Sequence, residues 1–132
     1  MENVEIVRRF VAHVNAQDLS AAMAYVAPGA ELDWSDSEAP DSGRFHGHEE
    51  WGAFFSGRWD GLTDASFDES EILEVTPESV LIVASWRGRG RTSGLEIQAR
   101  GAAVITLGAG RIDAIRVYQS REDALSAVGL GG

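Results

Sequence analysis

Between residues 65 and 119 the chain keeps a side-chain period of two through four consecutive runs, broken only at the short sequences TPES, TSG and GAG. Runs at about 65–76, 79–91, 95–107 and 111–119, joined by turns this tight, have few ways to pair. They predict an antiparallel meander, and that meander dictates the rest of the fold. Upstream the period is helical. Val4, Val7, Val11 and Val14, widened by Ile6 and Phe10, mark residues 2–16 as an amphipathic helix. Asp18 caps a shorter helix that turns Leu19, Met23 and Val26 inward, and Pro28-Gly29 is expected to end it.

The segment AELDWSD alternates Ala30, Leu32 and Trp34 against Glu31, Asp33 and Ser35, the pattern of a half-buried strand, and the polar loop SEAPDSGRFHG follows. From Gly47 the helical period returns, with Glu49 and Glu50 at the positive end and Trp51, Phe54, Phe55 and Trp59 gathered on one side. After the meander, Ser120 with Asp123 reads as the start of a last helix, which Gly129 stops while Leu130 packs back near Leu125. The predicted class is α+β: a strongly curved, mostly antiparallel sheet wrapped around N-terminal helices in one domain, residues 1–132.

Within the meander, SWRGRGRTSG sets three arginines at alternate positions. A TPES turn that places Val75 opposite Val80 brings Asp68 across from Arg87, Asp64 across from Arg91 and Phe67 across from Gly88. The arginines are therefore expected to serve cross-strand pairing rather than an anion-binding stripe. Continuing the register places Trp86 opposite Gly101, Ala84 opposite Ala103, Ile82 opposite Ile105, Ala103 opposite Ile115 and Gly101 opposite Val117. One face is then apolar but small in its middle, which leaves room either for a closely approaching helix or for a ligand cavity.

Eleven Lys and Arg against twenty-one Asp and Glu give a formal charge of −10, which works against binding nucleic acid or anionic membrane surfaces. With no Cys, disulfides and thiolate metal sites are excluded. The expected setting is cytoplasmic, because no basic N-terminal stretch precedes an apolar run and none approaches the ~20 residues that span a bilayer. No phosphate loop, nucleophile elbow, zinc motif or dinucleotide fingerprint is present, so neither metal nor cofactor is expected.

The element order, with RRFVAHVNAQDLSAAMAYVAPGAELDW, RFHGHEEWGAFF and GRIDAIRVYQSREDALSAVGL, resembles the nuclear-transport-factor-two-like superfamily and its SnoaL-like and steroid-isomerase-like branch over nearly the whole chain. The resemblance implies a cystatin-like α+β barrel with a conical pocket, commonly in a homodimer. Leu81 and Val83, on the sheet's second face, would otherwise be left exposed and point to the same dimer. Function must come from the site, because this superfamily hosts isomerases, cyclases, dehydratases, epoxide hydrolases and noncatalytic modules. Anchored on VNAQDL, the branch's oxyanion tyrosine falls on Phe10, its base aspartate on Trp34 and its proton-donating aspartate on Ala103. None of the three can do that chemistry, so steroid isomerisation by the usual route is not expected.

Candidates for proton transfer are Asp33 and Asp36, on or just after the first strand, and His46 before the aromatic helix. Alternation sets Asp36 with Leu32 and Trp34, although a bulge would exchange Asp33 for Trp34. The bland alternatives are a solvated strand end and a loop histidine. His13 and His48 do not complete a metal cluster, Asp113 lies beside a turn, and Asn15 is expected to fix the turn between the first helices. Phe10, Val14, Trp34, Trp51, Phe55, Trp59, Trp86 and Ala103 are the candidates for lining a pocket for a small apolar or aromatic molecule. Two functions remain open: a cofactor-independent acid/base enzyme on a cyclic or polyketide-like substrate, or a noncatalytic ligand-binding or dimerising module.

Overall fold

A computed structural model of the chain describes residues 2–35 and 43–129. Helix α1 (Asn3–Asn15) buries Ile6, Val7, Phe10 and Val14, the stripe its spacing predicts. Helix α2 (Leu19–Met23) is short, and Asp18 caps it by accepting from the amide of Ala21 at 3.2 Å. Val26 does not belong to that helix; it opens strand β1 (Val26–Asp33). Pro28 and Gly29 lie inside the strand where its pairing with β6 shifts between Val26 and Glu31. A proline fits there because an irregular position asks no ladder hydrogen bond of it.

A short strand, β2 (Arg44–His46), lies within the segment expected to be loop and pairs antiparallel with the end of β1. Three residues carry too little pattern to be read as a strand. Helix α3 (Gly47–Gly61) follows directly, then the meander: β3 (Leu62–Thr76), β4 (Ser79–Gly90), β5 (Glu96–Gly108) and β6 (Arg111–Tyr118). Helix α4 (Arg121–Ala127) begins at Ser120, whose hydroxyl accepts from the Asp123 amide at 3.1 Å. The expected contact of Leu130 falls outside the described residues.

The strand order is β2-β1-β6-β5-β4-β3, with β1 and β6 parallel and every other pair antiparallel. The sheet is mixed, curved and unclosed. One face packs on α1 and α3 through Val80, Ile82, Ile105 and Ile115. The opposite face holds a smaller cluster in which Leu81, Val83 and Ala102 meet Ala124 of α4. Leu81 and Val83 are thus covered within the chain, and the argument from their exposure to a dimer does not hold. No helix among the described residues is long and apolar enough to cross a membrane.

The meander forms at a shifted register. β3 and β4 begin pairing at Thr76 and Ser79 as expected, but three irregularities follow, and Phe67 lies opposite Trp86 rather than Gly88. Arg87 still reaches Asp68, at 2.6 Å, but does so diagonally, because Asp68 now stands opposite Ser85. Arg91 does not meet Asp64. It donates from Nε to the Asp60 carbonyl and from Nη2 to those of Trp59 and Leu62, satisfying carbonyls at the end of α3. In the next two hairpins Ala84 lies opposite Gly101, Ile82 opposite Ala103 and Ala103 opposite Val117, each two residues from the expected partner. A slip of two keeps every side chain on its expected face.

Candidate functional site

Between α1, α3 and the inner face of the sheet lies a cavity of about 730 Å³. The space is left unfilled in part because the middle of the sheet is built of small residues: Ala84, Gly101 and Ala103 all line it. At Gly101 a Cβ would sit 2.9 Å from the carbonyl oxygen of Tyr118, so the close approach of β6 requires glycine. Phe10 and Val14 of α1, Phe55 of α3, Trp34 after β1, and Trp86 of β4 complete much of an apolar wall.

Six of the eight candidate lining residues therefore reach the cavity: Phe10, Val14, Trp34, Phe55, Trp86 and Ala103. Trp51 and Trp59 do not. Trp51 is fully buried behind the wall, where its indole N–H donates to the Ala30 carbonyl at 3.1 Å and ties α3 to β1. Trp59 is stacked on Phe55, with ring centroids 6.0 Å apart, and is not in the lining. Both follow from a 100° helical step: an aromatic stripe this wide has more width than one cavity wall can use.

The two described proton-transfer candidates, Asp33 and His46, lie elsewhere. Asp33 pairs across the ladders with Arg44 and Arg116, whereas its neighbour Leu32 pairs with Phe45 and with the cavity residue Ile115. Its carboxylate therefore occupies the other face of the sheet, accepting from the Ser35 amide at 3.0 Å and hydroxyl at 2.5 Å, with Arg44 at 3.4 Å and Arg116 at 3.8 Å. Burial works to raise its pKa, but the Ser35 hydrogen bonds and the two guanidinium charges outweigh this and hold it below the ordinary aspartate value. Such a group stays ionised near neutral pH. His46 is exposed at the start of α3, its backbone amide donating to Glu50, and it is not in the lining. Asp36 lies outside the described residues. His48 is held 2.8 Å from the Val26 carbonyl, His13 is stacked on Tyr25, and Asp113 is exposed. Asn15 does not fix the helix turn. It exchanges two hydrogen bonds with the backbone of Phe67, at 3.0 and 2.8 Å, docking α1 onto β3.

Three charged residues that the sequence reading passed over do line the cavity: Arg58, Glu69 and the exposed Arg100. Arg58 is buried, its guanidinium 4.6, 4.9 and 4.8 Å from the ring centroids of Trp34, Phe54 and Trp86. Ring faces stabilise a desolvated cation, and a guanidinium suits that stacking. Its place was legible, since it follows Phe54 by four and Trp51 by seven on one helical face. Glu69 shares strand parity with Phe67 and enters the lining beside it. The indole Nε1 of Trp34 is buried with no hydrogen-bond partner among the described residues. Among those residues, no group of three or more His, Cys, Asp or Glu is placed to hold a metal ion.

A curved sheet cupped over an N-terminal helix and an aromatic helix, with an apolar cavity between, is the architecture of nuclear-transport-factor-two-like proteins. A protein of that type from Burkholderia thailandensis superposes with a TM-score of 0.77 at 22% identity, over 89% of this chain and 90% of its own. A protein with a ketosteroid-isomerase-like fold from Catenulispora acidiphila, solved with trimethylamine, gives 0.77 at 15% identity, over 98% and 95%. A Mycobacterium tuberculosis protein solved with estradiol-17β-hemisuccinate gives 0.74 at 19% identity, over 86% and 89%. Within this class the chain belongs to the SnoaL-like domain family, whose model matches residues 7–115. A comparison with curated proteins found no match.

Proposed function

We propose that the chain binds a small, apolar, ring-containing molecule in the cavity beneath α3, and that binding rather than proton transfer is its principal chemistry. The observation that carries this reading is the cavity itself: about 730 Å³, walled by Phe10, Phe55, Trp34, Trp86 and Ala103. Rigid rings bury area there at little entropic cost, and apolar concave sites of this size are the usual form of small-molecule sites. The steroid derivative held by the M. tuberculosis protein of this fold is a molecule of that kind.

A reading as a cofactor-independent isomerase, cyclase, dehydratase or epoxide hydrolase needs a group that exchanges protons inside the cavity. Asp33 faces the other side of the sheet and His46 is outside the lining; among the described residues, Glu69 is the one carboxylate in it. The experiment is to narrow the space. Ala103→Phe, projecting into the cavity from β5, is expected to abolish the thermal stabilisation that polycyclic ketones and phenols give the wild-type chain. Retained binding by a folded Ala103→Phe protein removes the cavity from consideration. Binders that the wild-type chain turns over, with turnover lost in Glu69→Gln, would move the reading to the enzyme.

A further inference from the structure

Strand β3 carries Asp64, Asp68, Glu69, Glu71 and Glu74, and acids facing water are a common defence of an edge strand. Glu69, though also exposed, stands on the cavity side. Its ladder partner is Ala84, and Phe67, two residues earlier, stands opposite Trp86. All four residues line the cavity. An acid on the inner face breaks the alternation that its neighbours obey, and local departures of this sort concentrate at functional positions.

The backbone is built to keep it there. Pairing with β4 shifts between Glu69 and Glu71, and the intervening Ser70 donates from its hydroxyl to the Val83 carbonyl at 3.2 Å. Strict alternation would put Glu69 and Glu71 on one face; the extra residue separates them. Glu71 turns outward to a two-pronged pair with Arg121, at 2.8 and 2.9 Å, and Ile72 returns to the core. Of these acids, only Glu69 reaches the cavity lining, at its solvent-exposed rim.

Its ring neighbours suit a cation, although Arg58 and the exposed Arg100 share the lining. The Phe67 and Trp86 rings, with centroids 4.2 Å apart, adjoin it in the lining and offer π faces. Arg8 approaches to 3.6 Å, but with side chains 54% and 27% exposed the pair is screened by water and weak. The guanidinium of Arg58 is stacked among Trp34, Phe54 and Trp86. The net charge of −10 draws cations toward the molecule and repels anions.

Building on the ligand-binding reading, we infer that Glu69 is the polar anchor of the cavity and selects an apolar ring compound carrying a protonated amine. The ammonium makes charge-assisted hydrogen bonds to the carboxylate while its ring system occupies the apolar wall. A carboxylate-bearing ring of the same size meets repulsion at Glu69.

The test titrates the full chain by calorimetry near neutral pH with three probes of one shape: methylnaphthalene, aminomethylnaphthalene and naphthoate. The wild-type chain is expected to bind the ammonium probe about 10-fold or more tightly than the neutral one, the range of a charge-assisted hydrogen bond, and naphthoate most weakly. Glu69→Gln should erase that preference while leaving methylnaphthalene within about twofold, because only the charge-assisted part is lost. Glu71→Gln, on the outward neighbour, should leave the preference intact. An ammonium preference that survives Glu69→Gln, or wild-type affinities that do not distinguish the probes, overturns the assignment. Loss of both probes in Glu69→Gln does so too, since the role is then structural. If none of the three binds the wild-type chain, the cavity reading itself fails and the inference goes with it.

Discussion

Asp33 shows how one residue's neighbours decide its chemistry. A carboxylate at the end of a strand beside a tryptophan reads as a proton-transfer group until the ladder partners are known. With Arg44 on one side and Arg116 on the other, it becomes a clamp across β2, β1 and β6. Its folded pKa lies below the ordinary value, so its stabilisation is present above about pH 4 and is lost as pH falls through the folded value. Asp33→Ala is expected to cost about 1.5–3 kcal/mol near neutral pH, the range for hydrogen bonds to a charged group. The gap from the wild-type chain should begin to close below about pH 4 and vanish once pH falls past the lowered folded value. Urea unfolding near pH 7 and again near pH 2.5 measures this, and a gap that stays constant contradicts the ion-pair assignment.

At the scale of elements, the hairpins show which parts of a register are robust. The turn at Ala109-Gly110 has both residues at positive φ, 52° and 78°, between the paired Gly108 and Arg111. That geometry suits the right-handed twist of the strands, but it places an alanine where a Cβ is disfavoured. Ala109→Asn or Ala109→Gly should therefore stabilise the fold by about 0.5–1 kcal/mol, read as a higher unfolding midpoint. A lower midpoint in both variants means that the turn is formed differently. The β3–β4 hairpin is the contrasting case, since three irregularities separate its observed pairing from the one its turn implies. Bulges depend on which side chains the helices need inside and leave no mark in a period-two pattern.

For the whole molecule, the arginine run has a consequence for partners. Arg87 is engaged with Asp68 and Arg91 with the end of α3, and the chain carries a net charge of −10. No complex with single-stranded RNA is expected at physiological salt. Arg91→Ala should instead lower stability, because carbonyls at the end of α3 lose their donor. A tight, salt-sensitive RNA complex weakened by replacing Arg87, Arg89 and Arg91 would refute this. A homodimer is proposed on the family resemblance alone, now that α4 accounts for Leu81 and Val83. Sedimentation showing a monomer at micromolar concentration removes that proposal.

Periodicity was sufficient to place the elements of the meander, α1 and α3, and to assign strand faces, because a helix or strand announces its buried side through repeats only a few residues long. A two-residue slip cost nothing at Ala84, Gly101 and Ala103, since a strand's faces repeat every second residue. The family likeness was legible for the same reason: element order and local wording survive in the linear chain. Tertiary structure alone decided that Asp33 turns away from the cavity, that Trp51 stands behind its wall, that Asn15 docks on β3, and that Arg91 caps α3. Each depends on a partner 21 to 83 residues distant in sequence. Such contacts form only when particular strands and helices meet, and neither residue of the pair carries a local pattern that names the other.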